Sequence, residues 1–213
     1  MVGRLLAVAV VLLGGGLVLF AALDGEGSTV SSANTELAAQ PSSPDEDPTP
    51  TTAAVTLAET PPNLGPRKGL VGLDGWINTD LESLDELDGQ VVMVEMWTFG
   101  CRNCKNRIPH TQDLYATYAS EGFEIVGVHA PEFDYESVVE NIEAAVVDLG
   151  VTWPVALDTN KANFRAWQEG GRRFWPRTFV VDQNGDVRFD HIGEGAYDEL
   201  EQTVAWLLAN PPT

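Results

Sequence analysis

Cysteine is almost absent from this chain: of 213 residues, only Cys101 and Cys104 carry a thiol. One pair cannot supply the several bridges that hold a small secreted domain together, so the fold must rest on a hydrophobic core. Basic residues are scarce too, with 12 Lys and Arg against 32 Asp and Glu and a formal net charge of −20. That deficit argues against a nucleic-acid partner and against docking on anionic lipid, both of which need clustered positive charge. Histidine is limited to His110, His129 and His191. These are few nitrogen donors with which to complete a zinc site around two thiolates, and no metal or other cofactor is expected. No internal repeat is visible, and the chain is long enough for one ordinary domain with appendages.

Long hydrophobic runs are confined to one place. Residues from Leu5 to Leu23 carry no polar side chain, with Arg4 before them and Asp24 and Glu26 directly after. Positive before and negative after orients such a segment with its N-terminus inside and the rest exported. The run is long for a signal-peptide core and adequate for one membrane span, and no A-x-A cleavage signal follows it. Residues 1–23 therefore read as an uncleaved membrane anchor in preference to a cleaved signal peptide. A secreted form is the alternative. Residues 24–66 are rich in Pro, Ser, Thr and acidic residues and lack apolar periodicity, so they read as a disordered, extended tether. The folded head is expected over 67–213, on the extracytoplasmic side of the cytoplasmic membrane.

Within the head, strand and helix patterns alternate. Trp76-Ile77 is a short strand candidate, and Val91 to Trp97 a buried strand. Residues 102–120 read as a helix that Pro109 should kink. Phe123 to His129 is a second long strand. Residues 136–149 form an amphipathic helix, with Val138, Val139, Ile142, Ala145, Val146 and Leu149 on one face and Gly150 at its end. Val155 to Leu157 is a short strand. Thr178 to Val181 and Val187 to Ile192 pair around Asn184-Gly185 as a hairpin. Tyr197 to Leu208 closes the chain as a helix. This order predicts an α/β fold with a mixed central sheet flanked by helices.

The two cysteines are placed for chemistry. Cys101-Arg102-Asn103-Cys104 directly follows the strand Val91 to Trp97 and opens the next helix. That spacing puts both sulfurs in one helical turn, close enough to bond to each other. Cys101 falls at the helix N-terminus, where free N–H groups and the helix dipole favour a thiolate. A thiolate is the species that attacks a disulfide, so Cys101 is the better nucleophile and Cys104 the resolving thiol. A structural disulfide is the plain alternative, but one that closes so small a loop stabilises little. Half a zinc site is the other.

Several segments carry a family resemblance. Val94 to Cys104 with Pro109 beyond resembles the active-site segment of the thioredoxin superfamily, and Trp175-Pro176-Arg177-Thr178-Phe179-Val180-Val181-Asp182 its cis-proline segment. Gly127-Val128-His129-Ala130-Pro131-Glu132-Phe133, Pro154 to Asp158 and Gly193-Glu194-Gly195 narrow the likeness to TlpA-like proteins, in particular the C-terminal thioredoxin-like domain of DipZ and cytochrome c biogenesis proteins. DipZ proteins also contain a multi-helix membrane domain that conducts electrons, whereas one apolar segment is present here. The resemblance thus implies a separate membrane electron donor of the CcdA/DsbD type.

The resemblance assigns further roles. It implies a cis bond before Pro176, which would present the Trp175 backbone to an incoming substrate strand; a proline opening a strand is the bland alternative. It gives Glu95 the part of a buried acid that takes the proton from Cys104, against the alternative of an edge-strand glutamate facing water. Trp97 is expected beside the sulfurs, or simply in the core. Trp97, Trp175, Arg177 and Arg102 are the candidate substrate contacts. His129 falls at a strand end, where a supporting role competes with a purely structural one. Arg102, Lys105 and Arg107 on one side and Arg172, Arg173 and Arg177 on the other suggest a basic collar that lowers the Cys101 pKa, unless they are ordinary solvated charges.

The function implied is a membrane-anchored, extracytoplasmic thiol–disulfide oxidoreductase. It would act on protein disulfides or thiols outside the cytoplasm; the resemblance implies the reducing direction and cytochrome c maturation as a setting. A disulfide-forming oxidant is a variant of the same chemistry. Thr98-x-x-Cys101 also mimics a peroxiredoxin motif, which raises a thiol peroxidase, although Val94 stands where that motif has proline. A non-catalytic binding module is the third alternative.

Overall fold

The computed structural model describes residues 59–212. The expected membrane span and most of the expected tether lie outside the described residues. Among the described residues no helix is long and apolar enough to cross a membrane.

Among the described residues six strands form one sheet. In chain order they are β1 (Trp76–Ile77), β2 (Val91–Trp97), β3 (Phe123–His129), β4 (Val155–Leu157), β5 (Arg177–Val181) and β6 (Val187–Ile192), and in space they run β1-β4-β3-β2-β5-β6. β3 lies parallel to both β2 and β4, whereas β5 is antiparallel to β2 and to β6. The sheet is mixed, as the sequence predicts, and the fold is thioredoxin-like. Among the described residues four α-helices flank it: α1 (Arg102–Tyr118), α2 (Val139–Asp148), α3 (Ala162–Trp167) and α4 (Tyr197–Ala209).

The central strand shows how the core is divided. Side chains of a strand alternate between faces. Val91, Met93 and Trp97 of β2 accordingly join Ile108 and Leu114 of α1, Ile142 and Val146 of α2, and Leu200, Val204 and Leu207 of α4. Val92, Val94 and Met96 point the other way, to Phe164 and Trp167 of α3 and to Leu84 and Leu87 of a short 3-10 turn. Every residue of β2 is buried, Glu95 included. Being central, β2 offers no wet edge, which excludes the solvent-facing alternative for Glu95. The strand ends at Trp97, and four residues later α1 begins with Cys101 as its N-cap. No side chain caps that end.

Three elements depart from the sequence reading. The helix expected over 136–149 is a 3-10 turn, Asp134–Ser137, followed by the shorter α2. Val138 sits between them and is 44 % exposed, whereas Glu136 is fully buried. The reason is polar: Glu136 turns inward to satisfy backbone N–H groups and so interrupts the helical pattern. α3 was not foreseen; its six residues are too few to show a period. It is nucleated by buried Asp158, whose carboxylate accepts from the N–H groups of Asn163 (3.1 Å) and Phe164 (2.7 Å). Finally, the packed chain starts before the expected boundary at Arg67. Leu64 and Gly65 exchange backbone hydrogen bonds with Val187, each 2.8 Å, and Pro66 bridges Asp186. The guanidinium of Arg188 holds the carbonyls of Pro61 and Pro62. Proline lacks the N–H that marks a strand, but its carbonyl still accepts.

Candidate active site

β2 and the first turn of α1 place the two cysteines at the carboxyl end of the sheet, as the spacing predicts. Both are thiols here; Cys101 is partly exposed and Cys104 is buried. Their environments push them apart. The Cys101 thiol is lowered to about 6, chiefly because the Cys104 thiol donates to its sulfur; the N–H groups of Cys104 and Asn103 at the open end of α1 assist, while partial burial and the charge of Glu132 oppose. Burial drives Cys104 strongly upward, reinforced by the neighbouring Cys101 sulfur. One sulfur is therefore an anion near neutral pH and the other stays protonated. A free dithiol with two such different members is an acid–base pair ready for exchange.

The loop before β5 meets this turn. The Trp175-Pro176 peptide bond is cis. The Cys101 sulfur lies 3.8 Å from the Trp175 carbonyl oxygen, so the two segments are brought together. Trp175 itself is half-buried. Its ring stacks on Phe164 at 4.2 Å, and its indole N–H donates to the Ala130 carbonyl at 2.8 Å.

Glu95 and Arg107 form a buried ion pair, Nε to Oε1 3.0 Å, with Arg107 only 1 % exposed. Burial raises the Glu95 carboxyl above its ordinary range, and Arg107 with the Thr111 hydroxyl pulls part of that back. The Glu95 charge in turn adds to the upward shift of Cys104. Arg107 also reaches the Gly195 carbonyl and lies over the Tyr197 ring. This corrects the collar read from the sequence, since Arg107 points inward to an acid. Arg177 is likewise committed, in a two-pronged bond to Asp190 at 2.8 and 2.6 Å. Arg102, Lys105, Arg172 and Arg173 are exposed. The lowered Cys101 pKa has local causes, not a ring of arginines.

Trp97 lies in the core, the plain alternative to a substrate contact. It is 4 % exposed, shares the core cluster of Cys104, and meets His129 edge-on at 5.3 Å. His129 is fully buried, and burial pushes its ring down to about 4. The ring is thus neutral at physiological pH. Its Nε2 accepts from the Phe99 N–H at 3.4 Å and contacts the Thr98 hydroxyl at 3.3 Å. The supporting role is to fix residues 98–99, two steps from the nucleophile.

Sequence reasoning missed Glu136. One carboxylate oxygen accepts from the Gly100 N–H at 2.9 Å; the other accepts from Glu132 at 2.6 Å and Phe133 at 2.8 Å. One buried acid thus ties the residue before Cys101 to a loop 36 positions away. No local pattern announces such a partner. The one legible signal is Gly100 itself: a Cβ there would meet the Tyr135 hydroxyl at 2.6 Å and the Glu136 carboxylate.

Comparison with known proteins agrees with this geometry. DipZ of Mycobacterium tuberculosis is 37 % identical over 150 residues, which cover 68 % of this chain and 21 % of that protein. The chain therefore spans about a fifth of DipZ. The thiol–disulfide oxidoreductase ResA of Bacillus anthracis is 31 % identical over 130 residues, or 59 % of this chain and 70 % of ResA. Among solved structures, a thiol–disulfide isomerase from Corynebacterium glutamicum superposes with a TM-score of 0.58 at 22 % identity, covering 70 % of this chain and 97 % of that one. A thioredoxin-family thiol:disulfide interchange protein from Chlorobium tepidum gives 0.53 at 26 %, covering 70 % and 96 %. Residues 77–190, from β1 into β6, match the AhpC/TSA family. Sequence match and fold coincide over the same strands, and the chain belongs to the AhpC/TSA family, with the thioredoxin-like architecture of the thiol–disulfide oxidoreductases that are its relatives.

Proposed function

We propose that Cys101 and Cys104 are the redox pair of a thiol–disulfide oxidoreductase that reduces protein disulfides outside the cytoplasm. The observation that carries this reading is the split between the two thiols, one lowered to about 6 on the rim and one held protonated beneath it. The Cys101 thiolate attacks a substrate disulfide, forms a mixed disulfide and releases the first substrate thiolate. Cys104 then loses its proton and attacks the Cys101 sulfur. The intramolecular Cys101–Cys104 disulfide forms, and the second substrate thiolate leaves. Glu95, buried near Cys104 with a raised carboxyl, is the group that takes the proton. Two electrons have passed to the substrate, so a dithiol donor must reduce the new disulfide. A membrane protein of the CcdA/DsbD type fits that need if residues 1–23 anchor the chain. Apocytochrome c disulfides are the substrate class that the resemblance to cytochrome c biogenesis proteins implies.

Incubation of the reduced chain with an oxidised protein substrate tests the reading. Parent protein is expected to release substrate thiols, Cys101→Ser to release none, and Cys104→Ala to accumulate mixed disulfides. A parent inert toward disulfides and dithiols alike overturns it. The peroxidase alternative is disfavoured by Thr98, whose fully buried hydroxyl is turned to His129. Peroxide consumption by Cys104→Ser would restore it.

A further inference from the structure

Beside Cys101 stands a pair of exposed aromatic rings that the exchange chemistry does not use. Phe133 and Tyr135 are 54 % and 51 % exposed, yet their rings stack with centroids 6.0 Å apart and planes within 6°. Tyr135 packs in turn against Phe99 at 5.7 Å, and Phe99 stacks on buried His129 at 5.5 Å. Single exposed apolar residues are ordinary. A stacked pair continuous with the core and ending at the nucleophile's neighbour is not scattered surface.

The ledge is also held still. The Glu136 carboxylate grips the N–H groups of Glu132 and Phe133 with one oxygen and that of Gly100 with the other. Asn141 donates to the Tyr135 carbonyl at 2.9 Å, and Ser137 to that of Asp134 at 2.8 Å. Trp175 ties Ala130, at the root of this loop, to the cis-proline segment. A buried acid with three backbone bonds sets the distance between the rings and Cys101, so the ledge forms before any substrate arrives.

Geometry selects the occupant. In a mixed disulfide the two Cα atoms lie about 4.4–6.8 Å apart, and the next residue of each chain is about 3.8 Å further. On the enzyme that next residue is Gly100, where the Tyr135 hydroxyl and the Glu136 carboxylate fill the place of a side chain. A side chain flanking the substrate cysteine therefore arrives over the ledge. Resting on the exchange reading above, we propose that Phe133 and Tyr135, positioned by Glu136, form a specificity subsite for an apolar side chain next to the substrate cysteine. The occupant is an extended, cysteine-bearing segment of a substrate protein. Exposed Glu132 and Asp134 beside the rings disfavour an acidic neighbour.

The test uses the reduced chain, with hydroxyethyl disulfide and short peptide disulfides in which Phe, Ser or Glu adjoins the cysteine. The expected order of attack rates is Phe above Ser above Glu, with about tenfold between Phe and Ser, the ratio of a modest apolar contact. In Phe133→Ser/Tyr135→Ser that ratio should fall below about twofold while the pH midpoint of Cys101 alkylation stays put. Val147→Ser, an exposed apolar residue on α2, should keep the parent order. Glu136→Gln should raise KM for the Phe peptide more than it lowers kcat. A parent that reduces hydroxyethyl disulfide without ranking the peptides overturns the subsite and leaves the exchange reading intact. Inertness toward hydroxyethyl disulfide overturns both. A double variant that slows all peptides equally also overturns the subsite, since the rings then only support the fold.

Discussion

Single residues at this site differ in chemistry because they differ in surroundings. Cys101 has an open helix end and a thiol donor to stabilise its anion; Cys104 has neither. Alkylation of the reduced chain should therefore show one fast thiol with a midpoint near pH 6. In Cys104→Ala, which removes the largest cause of the shift, the midpoint should climb toward the ordinary range of about 8.5. A midpoint unchanged in that variant would assign the effect to the helix end alone. His129 gives a second residue-scale expectation. Its ring is held down to about 4 by burial, against the weaker pull of Glu136. The folded state thus refuses a proton that the unfolded chain accepts below about pH 6.5. Stability from this group is complete above that pH, falls as pH drops toward 4, and levels off below it. The loss amounts to about 3 kcal/mol at most. Denaturant titrations between pH 4 and 7 should show that slope in the parent and a shallower one in His129→Gln, whatever the variant's absolute stability.

At the scale of elements, β2 and α1 are joined by a buried charge pair, and the loop 130–137 is joined to the cysteine turn by a buried acid. Removing one partner of a buried pair leaves an unpaired charge and costs about 3–5 kcal/mol. Arg107→Met should destabilise by that amount in chemical denaturation. Glu95→Met/Arg107→Met should recover most of it, because well-packed apolar groups substitute for a buried pair at little loss. The same double variant separates structure from chemistry. If Glu95 takes the Cys104 proton, the recovered protein should still form mixed disulfides but resolve them slowly. Normal resolution would leave Glu95 a structural acid. These elements also mark what was legible in the sequence. Val91 to Trp97, the Cys-x-x-Cys turn and Asn184-Gly185 were readable because period, composition and turn chemistry are local. The inward turn of Arg107 and the clamp of Glu136 were not. Arg107 meets an acid 12 positions back and Glu136 a backbone group 36 positions back, and nothing in a helical window reports either. α3 escaped notice because six residues cannot show a helical stripe, and Asp158, which starts it, belongs to the preceding strand end.

For the described residues as a whole, the register fixes where the first segment of the head meets the sheet. Val181 of β5 pairs with Val92 at the start of β2 and with Val187 at the start of β6. Residues 64–66 join β6 at Asp186 and Val187. They therefore meet the sheet at the end remote from Trp97 and the cysteines. These residues form a strap along β6. The strap also covers part of an edge strand, where open N–H and C=O groups invite pairing with another chain. Its backbone bonds to Val187 and the bonds from Arg188 to Pro61 and Pro62 contribute about 0.5–1.5 kcal/mol each. Because these bonds exist only in the folded chain, the strap is expected to raise Tm by a few degrees, the shift of about 1 kcal/mol at this size. Chains beginning at Glu59 and at Arg67 should differ by that much in thermal unfolding, and the shorter one should self-associate more through β6. Equal melting and equal association would mean that 61–66 only rest on the head.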